Sequence, residues 1–376
     1  MIHNLIYKIE IFRIKIFNEL RRDIANLFDK IQLKFYKRKR HAEDIMSCII
    51  FYLMSMENQE EKKIILLLPK INKYKDDIKT IIENKLKYSY TIAYGKTVKN
   101  NFLKKCYEHV IKYAQLEKDA VENFKYDTED VNVFVQKHDK RSYNMYTNDG
   151  YKINIENVVY GKLRSYCIDK SNANLIIYNM LLRYYYTLKS GNNQLKISTE
   201  HMNMNINEFM EKNNITMTNK KYAELYASPV NRHLENYCSA FPDTDKYFRG
   251  RLGTFNTYKF ESNKIYLCNP PYVNFTMELM SKKIRDKIHT IKNTMIYIII
   301  PVWDLVGMKK CEIVIDEDIE DNYKDYKTLH IIQSISDDDV EKSYKLYKKN
   351  MYQFINMLTG KKINASNIYE IILYKI

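Results

Sequence analysis

The chain is poor in residues that break or loosen the backbone, with eight glycines and six prolines in 376 residues. No G-x-G-x-x-G occurs, which excludes a dinucleotide site of the glycine-cradled kind. No Gly/Ser-rich or Pro-rich linker occurs either, so the parts of the chain are expected to pack closely. There is one tryptophan, Trp303. The six cysteines, Cys48, Cys106, Cys167, Cys238, Cys268 and Cys311, are widely spaced with no C-x-x-C pair, a pattern of reduced thiols in an intracellular protein. The eight histidines form no H-E-x-x-H, and no metal site is expected. Long apolar runs are missing too. Ile45–Met54 and Thr294–Ile300 fall short of the roughly 20 residues that span a bilayer. Lys8 and Glu10 interrupt the start too early for a signal peptide.

Positive charge is abundant. Lys and Arg number 61 against 46 Asp and Glu, a formal net charge of +15. That balance favours a polyanionic partner, nucleic acid first and an anionic membrane second. The 34 tyrosines beside few glycines and prolines also fit an A/T-rich coding bias, which inflates lysine without any partner. With 45% hydrophobic and 28% charged residues, the chain suits one large or two ordinary folded domains.

Up to about Asn123 the pattern is helical. Ile9, Phe12, Ile16, Leu20, Ile24, Leu27, Phe28 and Ile31 recur at three- and four-residue intervals. The basic run Lys37–Arg40 reads as a solvated helix end, an import signal or a phosphate contact. A second helix is expected over Ala42–Met54, with more to Val121. The polar stretch Tyr126–Asp149 places a boundary near residue 145. Beyond it, Tyr151–Val159 reads as a strand, Ala173–Leu188 as a helix, Tyr222 onward as a short strand and Arg232–Phe241 as a helix.

The most informative stretch is Asn269-Pro270-Pro271-Tyr272. It follows the apolar run Lys264–Cys268, which reads as a buried strand. A helix is expected over Phe275–Ile284, then a strand over Thr294–Ile300 that is apolar on both faces. Strand, loop, helix and strand make a βαβ unit, and ligands sit beyond the carboxyl ends of such strands. The chemistry of Asn-Pro-Pro-aromatic suits methylation of a planar amino nitrogen, whose lone pair is delocalised into the ring. The Asn269 side-chain oxygen and the Pro270 carbonyl can accept its N–H bonds and draw the lone pair out of conjugation. The two prolines fix φ and hold the acceptors in place. Tyr272 can stack on the base. The bland alternative is a proline-stiffened turn.

Upstream, Ala227-Ser228-Pro229 is a turn small enough to admit a ligand without glycine. Asp243 and Asp245 are candidates for gripping the ribose or the amino acid moiety of a cofactor; a hydrated Asx turn is the alternative.

Taken together, Tyr226–Asn231, Tyr237–Asp245 with Tyr247-Phe248, Asn269–Tyr272 and Ile300–Trp303 resemble the phosphorylated-CTD-interacting factor family. The resemblance covers Tyr151 to the C-terminus more strongly than the N-terminal helices. It implies a Rossmann-like class I S-adenosylmethionine-dependent methyltransferase domain over 146–376, preceded by an all-helical domain over 1–145. The implied activity is N6-methylation of the 2′-O-methyladenosine beside the 7-methylguanosine cap of mRNA. Asn269, Pro270, Pro271 and Tyr272 would then be catalytic, with Tyr272 standing where the family has Phe. Ser228, Asn231, Asp243 and Asp245 would line the S-adenosylmethionine pocket. Arg251 would lie near the cap triphosphate, and Trp303 would stack on 7-methylguanine. The family's animal members carry a WW module that needs paired tryptophans, so docking on polymerase tail by that route is not expected.

An adenine methyltransferase acting on internal RNA or DNA, a glutamine-amide methyltransferase and a silent cap- or RNA-binding subunit remain the alternatives. A nucleus and a cytoplasmic viral replication site both fit the sequence.

Overall fold

The computed structural model describes residues 2–28, 35–60, 62–89, 96–124, 130–148, 151–188, 195–196, 199–217, 221–272, 274–301, 327–337, 339–348, 350–357, 362–365 and 368–376. It forms two compact units, Met1–Asn193 with Phe241–Arg249, and Gln194–Ala240 with Gly250–Ile376.

The first unit opens with helices α1 (Ile2–Leu27), α2 (Phe35–Met56), α3 (Lys75–Ser89) and α4 (Lys96–Asn123). α1 buries Ile6, Ile9, Phe17, Leu20 and Ile24 at helical spacing and packs on α2 and α4. Each such side chain is worth about 1.5–3 kcal/mol when withdrawn from water. An antiparallel meander follows, β1 (Phe134–Lys137), β2 (Ser142–Tyr146) and β3 (Lys152–Glu156), then α5 (Asn157–Tyr166) and α6 (Ala173–Leu181). α6 runs into a π-helical turn, Leu182–Thr187, in which Leu188 N–H donates back to the Arg183 carbonyl. The boundary expected at residue 145 thus falls inside this unit, which is not all-helical. The strand expected over Tyr151–Val159 ends at Glu156, where α5 begins.

The second unit contains β4 (Leu195–Lys196), α7 (Thr199–Lys212) and β5 (Lys221–Glu224). The short α8 (Pro242–Asp245) returns to the first unit. Then come β6 (Lys264–Cys268), α9 (Asn274–Ile288), β7 (Thr294–Pro301), α10 (Lys327–Gln333), β8 (Val340–Tyr347), β9 (Gln353–Asn356), β10 (Lys362–Asn364) and β11 (Ile368–Lys375). The main sheet has the order β5-β6-β7-β11-β8. β5, β6 and β7 are parallel; β11 runs antiparallel to both β7 and β8. The βαβ expectation for β6-α9-β7 is met. β7 is buried at all eight positions, as its run of apolar residues on both faces requires.

The helix expected over Arg232–Phe241 does not form. That stretch instead adds an extended segment beside β5, with Tyr237 bridging Glu224, and a further segment bridges Arg251 to Tyr237. Both bridges are parallel. Backbone bonds from Cys238 N to Glu224 O and from Ser239 N to Gly253 O extend them. Across the sheet the parallel segments therefore lie in the order third, second, first, fourth, fifth along the chain. The order reverses between β5 and β6.

Candidate active site at the strand ends

Between two neighbouring strands whose connections depart in opposite directions, a crevice opens at the carboxyl edge. β5 and β6 are such a pair, in register from Lys221 opposite Lys264 to Glu224 opposite Leu267. The loops that leave them, 225–231 and 269–272, emerge side by side at that edge. Leu225 N–H still bonds the Leu267 carbonyl, so the two chains part only beyond this point.

Asn269 is half-buried and Pro270 is buried, directly after the fully buried end of β6. The Tyr272 hydroxyl donates to Asn269 Oδ1 at 3.1 Å. A carboxamide oxygen has two lone pairs, so one remains for an incoming N–H. The Tyr272 ring packs against the hydrophobic clusters on both faces of the sheet and meets Phe354 edge-to-face at 6.5 Å. Burial, with the charge of Glu370 adding to it, pushes the Tyr272 phenol well above its ordinary pKa, so it remains a donor at any physiological pH. Glu370 itself is buried on β11, where its carboxylate takes bonds from His201 at 2.9 Å and Asn205 at 2.5 Å on α7.

The adjoining turn is closed on itself. Asn231 Oδ1 accepts from Ser228 N–H at 2.7 Å and from the Ser228 hydroxyl at 2.9 Å. Ser228 Oγ accepts in turn from Val230 and Asn231 N–H, both at 3.2 Å. Ser228 and Asn231 thus rigidify the loop that borders the crevice. A buried carboxylate that sequence reasoning missed supports it. Glu224, the last residue of β5, accepts from His233 N–H at 2.6 Å. Lys283 on α9 was missed as well. Its ammonium lies 4.6 Å above the Phe255 ring and donates to the Asn256 and Tyr258 carbonyls at 2.9 and 2.8 Å. Phe255 stacks on Tyr226 at 4.6 Å, which anchors the start of the turn. Burial lowers the Lys283 pKa to about 8. Neither residue carries a motif, because each acts on backbone that is remote in sequence.

The other expected site residues fare differently. Asp243 and Asp245 are fully buried within the first unit, whereas Ser228 and Asn231 belong to the second. Arg183 grips Asp243 with two bonds, at 3.1 and 3.0 Å, and Asp243 also accepts from Ile65 N–H at 3.3 Å. Asp245 accepts from the Tyr184 hydroxyl at 2.8 Å and from Thr244 at 2.9 Å. Burial would raise the Asp243 carboxyl, but Arg183 and then Arg13 hold it below its ordinary range. These carboxylates are engaged by partners within their own unit. Arg251 is half-buried, its Nε donating to Ser239 Oγ at 2.8 Å on the neighbouring segment. Three strand spacings separate its segment from β6, about 14 Å. Trp303 lies outside the described residues.

The second unit is thus a mixed α/β unit with Asn-Pro-Pro-Tyr at its strand-order reversal. Comparison with known proteins adds to this. The family model described as "Phosphorylated CTD interacting factor 1 WW domain" matches residues 159–315, a span from α5 past β7 that holds the single tryptophan. The mRNA (2'-O-methyladenosine-N(6)-)-methyltransferases of Mus musculus and Homo sapiens are each 32% identical over 81 residues. That alignment covers 21% of this chain and only 11% of each relative. Over residues 159–315 the chain is similar to the phosphorylated CTD interacting factor family, and it spans only about a tenth of the length of the curated relatives it matches.

Proposed function

We propose that the chain is an S-adenosylmethionine-dependent RNA methyltransferase that methylates N6 of the adenosine beside the mRNA cap. The observation that carries this reading is the position of Asn269, with a lone pair to offer, at the sheet's reversal point beside a tight turn of small residues. The strand order third-second-first-fourth-fifth supports a Rossmann-like domain. The two curated relatives, named for this reaction, support the substrate class.

The turn 226–231 is the segment that would border the cofactor. Ala227 and Ser228 are small side chains there, and their loop is held by Glu224, Asn231 and the Tyr226–Phe255 stack. When bound, S-adenosylmethionine supplies an electrophilic methyl group. Asn269 Oδ1 and the Pro270 carbonyl accept from the amino group and favour its pyramidal, nucleophilic form. Tyr272 holds Asn269 in orientation through its hydroxyl and offers its ring to the base. No strong base is required before attack, since the proton leaves after nitrogen becomes cationic.

The test is transfer of labelled methyl to three short RNAs: capped 2′-O-methyladenosine-first, capped guanosine-first, and uncapped with internal adenosines. Label confined to the capped adenosine supports the proposal. Label on internal adenosines would reassign the substrate to RNA at large, and no label on any RNA would overturn the enzyme reading.

A further inference from the structure

The first unit contains a cleft of about 810 Å³ between one face of α1 and the chain on either side of the meander. Its size is that of a small-molecule or nucleotide pocket. Lys8, Lys15 and Arg22 line it at seven-residue intervals. Seven residues are nearly two full turns, so the three cations form one row along α1, about 10.5 Å apart. Lys15 and Arg22 are exposed. Phe12 sits within the same row, half-buried, and meets Phe124 edge-to-face at 5.9 Å across the cleft. Tyr151, also half-buried, forms another part of the wall.

Two carboxylates, Glu19 and Asp130, face the three cations, and Asp130 already accepts from Asn4 at 2.9 Å. The exposed amides of Asn18, Asn132 and Asn148 complete the rim. Spaced cations tracking a backbone, aromatic rings between them and amides at the edge are the chemistry of single-stranded nucleic acid binding. A lipid pocket would be lined with aliphatic side chains, and this one has Ile11 and Val131 alone of that kind. We infer that this cleft binds single-stranded RNA, the α1 cations contacting phosphates and the Phe12–Phe124 edge receiving a base. This binding stands independently of methyl transfer.

The experiment uses the full chain and a 5′-fluorescent ten-nucleotide oligouridylate, which carries no adenine to methylate. Anisotropy would be followed between 50 and 200 mM salt. The double variant Lys15→Ala/Arg22→Ala should bind at least about tenfold more weakly, and its log–log salt slope should fall by about 1.4, roughly 0.7 for each lost phosphate contact on a single strand. Lys104→Ala/Lys118→Ala removes the same charge from exposed positions on α4 and should leave both values near wild type. Ultraviolet crosslinks should map to peptides containing Phe12, Phe124 or Tyr151. Equal affinities in the two double variants would overturn the proposal, as would crosslinks confined to other peptides or no binding by wild type. Competition by polyglutamate of matched charge as effective as that by RNA would also overturn it. If transfer fails on every RNA while these results hold, the methylation reading falls and the groove remains.

Discussion

The two units handle polar side chains in opposite ways. In the first, charge is sealed inside. Arg183 bonds Asp243 and Glu10, Arg13 bonds Glu10 at 2.5 Å and Glu117 at 2.7 Å, and Glu117 caps the N–H groups of Leu67 and Leu68. All five side chains are essentially buried. In the second unit the interior is mostly aliphatic and aromatic, with a buried polar group at Glu370 and Asn205, and other polar groups gather where the parallel strands end. There, each group is held by a neighbour. A charge buried among opposite charges reads as architecture, whereas a half-buried acceptor at a strand end is a candidate for chemistry.

The largest effect should come from breaking the first arrangement. Asp243→Asn leaves Arg183 with a single carboxylate partner, Glu10, in a dry interior. Unpairing a buried charge costs about 3–5 kcal/mol. The variant's urea midpoint should drop accordingly. The pH sign follows from the depressed carboxyl. Its native pKa lies below the unfolded value of about 3.9. The stabilisation is therefore complete above that value and fades as pH falls through the native one. The gap between wild type and variant should narrow only in that acid range. A gap that closes at neutral pH instead would show Asp243 to be no part of the buried network.

Asn269→Ala tests the second arrangement. It should leave the urea midpoint near wild type and lower kcat by about 10²–10³, the usual result of deleting one group aimed at developing charge. Wild-type turnover in this variant would break the contrast between the two units, since the half-buried acceptor would then be as inert as the sealed charges.

Gly250→Ala probes what joins the extended segments to the sheet. Gly250 has φ of +82°, and a Cβ there would lie 1.9 Å from the Glu235 carbonyl oxygen. Backbone strain of this kind costs about 1–3 kcal/mol, and the carbonyl must also move. Stability should fall by at least that much, read from the denaturation midpoint.

How much of this was legible in sequence depends on the range of the interaction. β6, β7 and the turn between β6 and α9 could be read because their signals are local: two-faced apolar runs and a double proline. The extended segment at Tyr237 looked helical. Its conformation is fixed by β5 beside it and by Glu224 bonding His233, contacts that no periodicity encodes. Asp243 and Asp245 read as cofactor candidates because they follow the small-residue turn Ala227-Ser228-Pro229 in sequence. Arg183, which buries Asp243, lies 60 residues upstream on a π-helical turn. Likewise the meander's membership of the first unit rests on packing, whereas its polar composition alone reads as a boundary.

The smallest expected effect sharpens the comparison most. Tyr272→Phe keeps the ring and the edge-to-face contact with Phe354, and removes only the hydroxyl that donates to Asn269 Oδ1. A hydrogen bond of this kind contributes about 0.5–1.5 kcal/mol, so kcat should fall by roughly two- to tenfold. KM should hardly move, because stacking on the base is unchanged. Stability should barely change, since a hydroxyl at a half-buried edge is no part of a sealed network. A rise in kcat would mean that the phenol competes with the substrate amino group for the same oxygen. In that case Tyr272 restrains Asn269 in the free enzyme and must release it on binding, and the acceptor is not poised in advance.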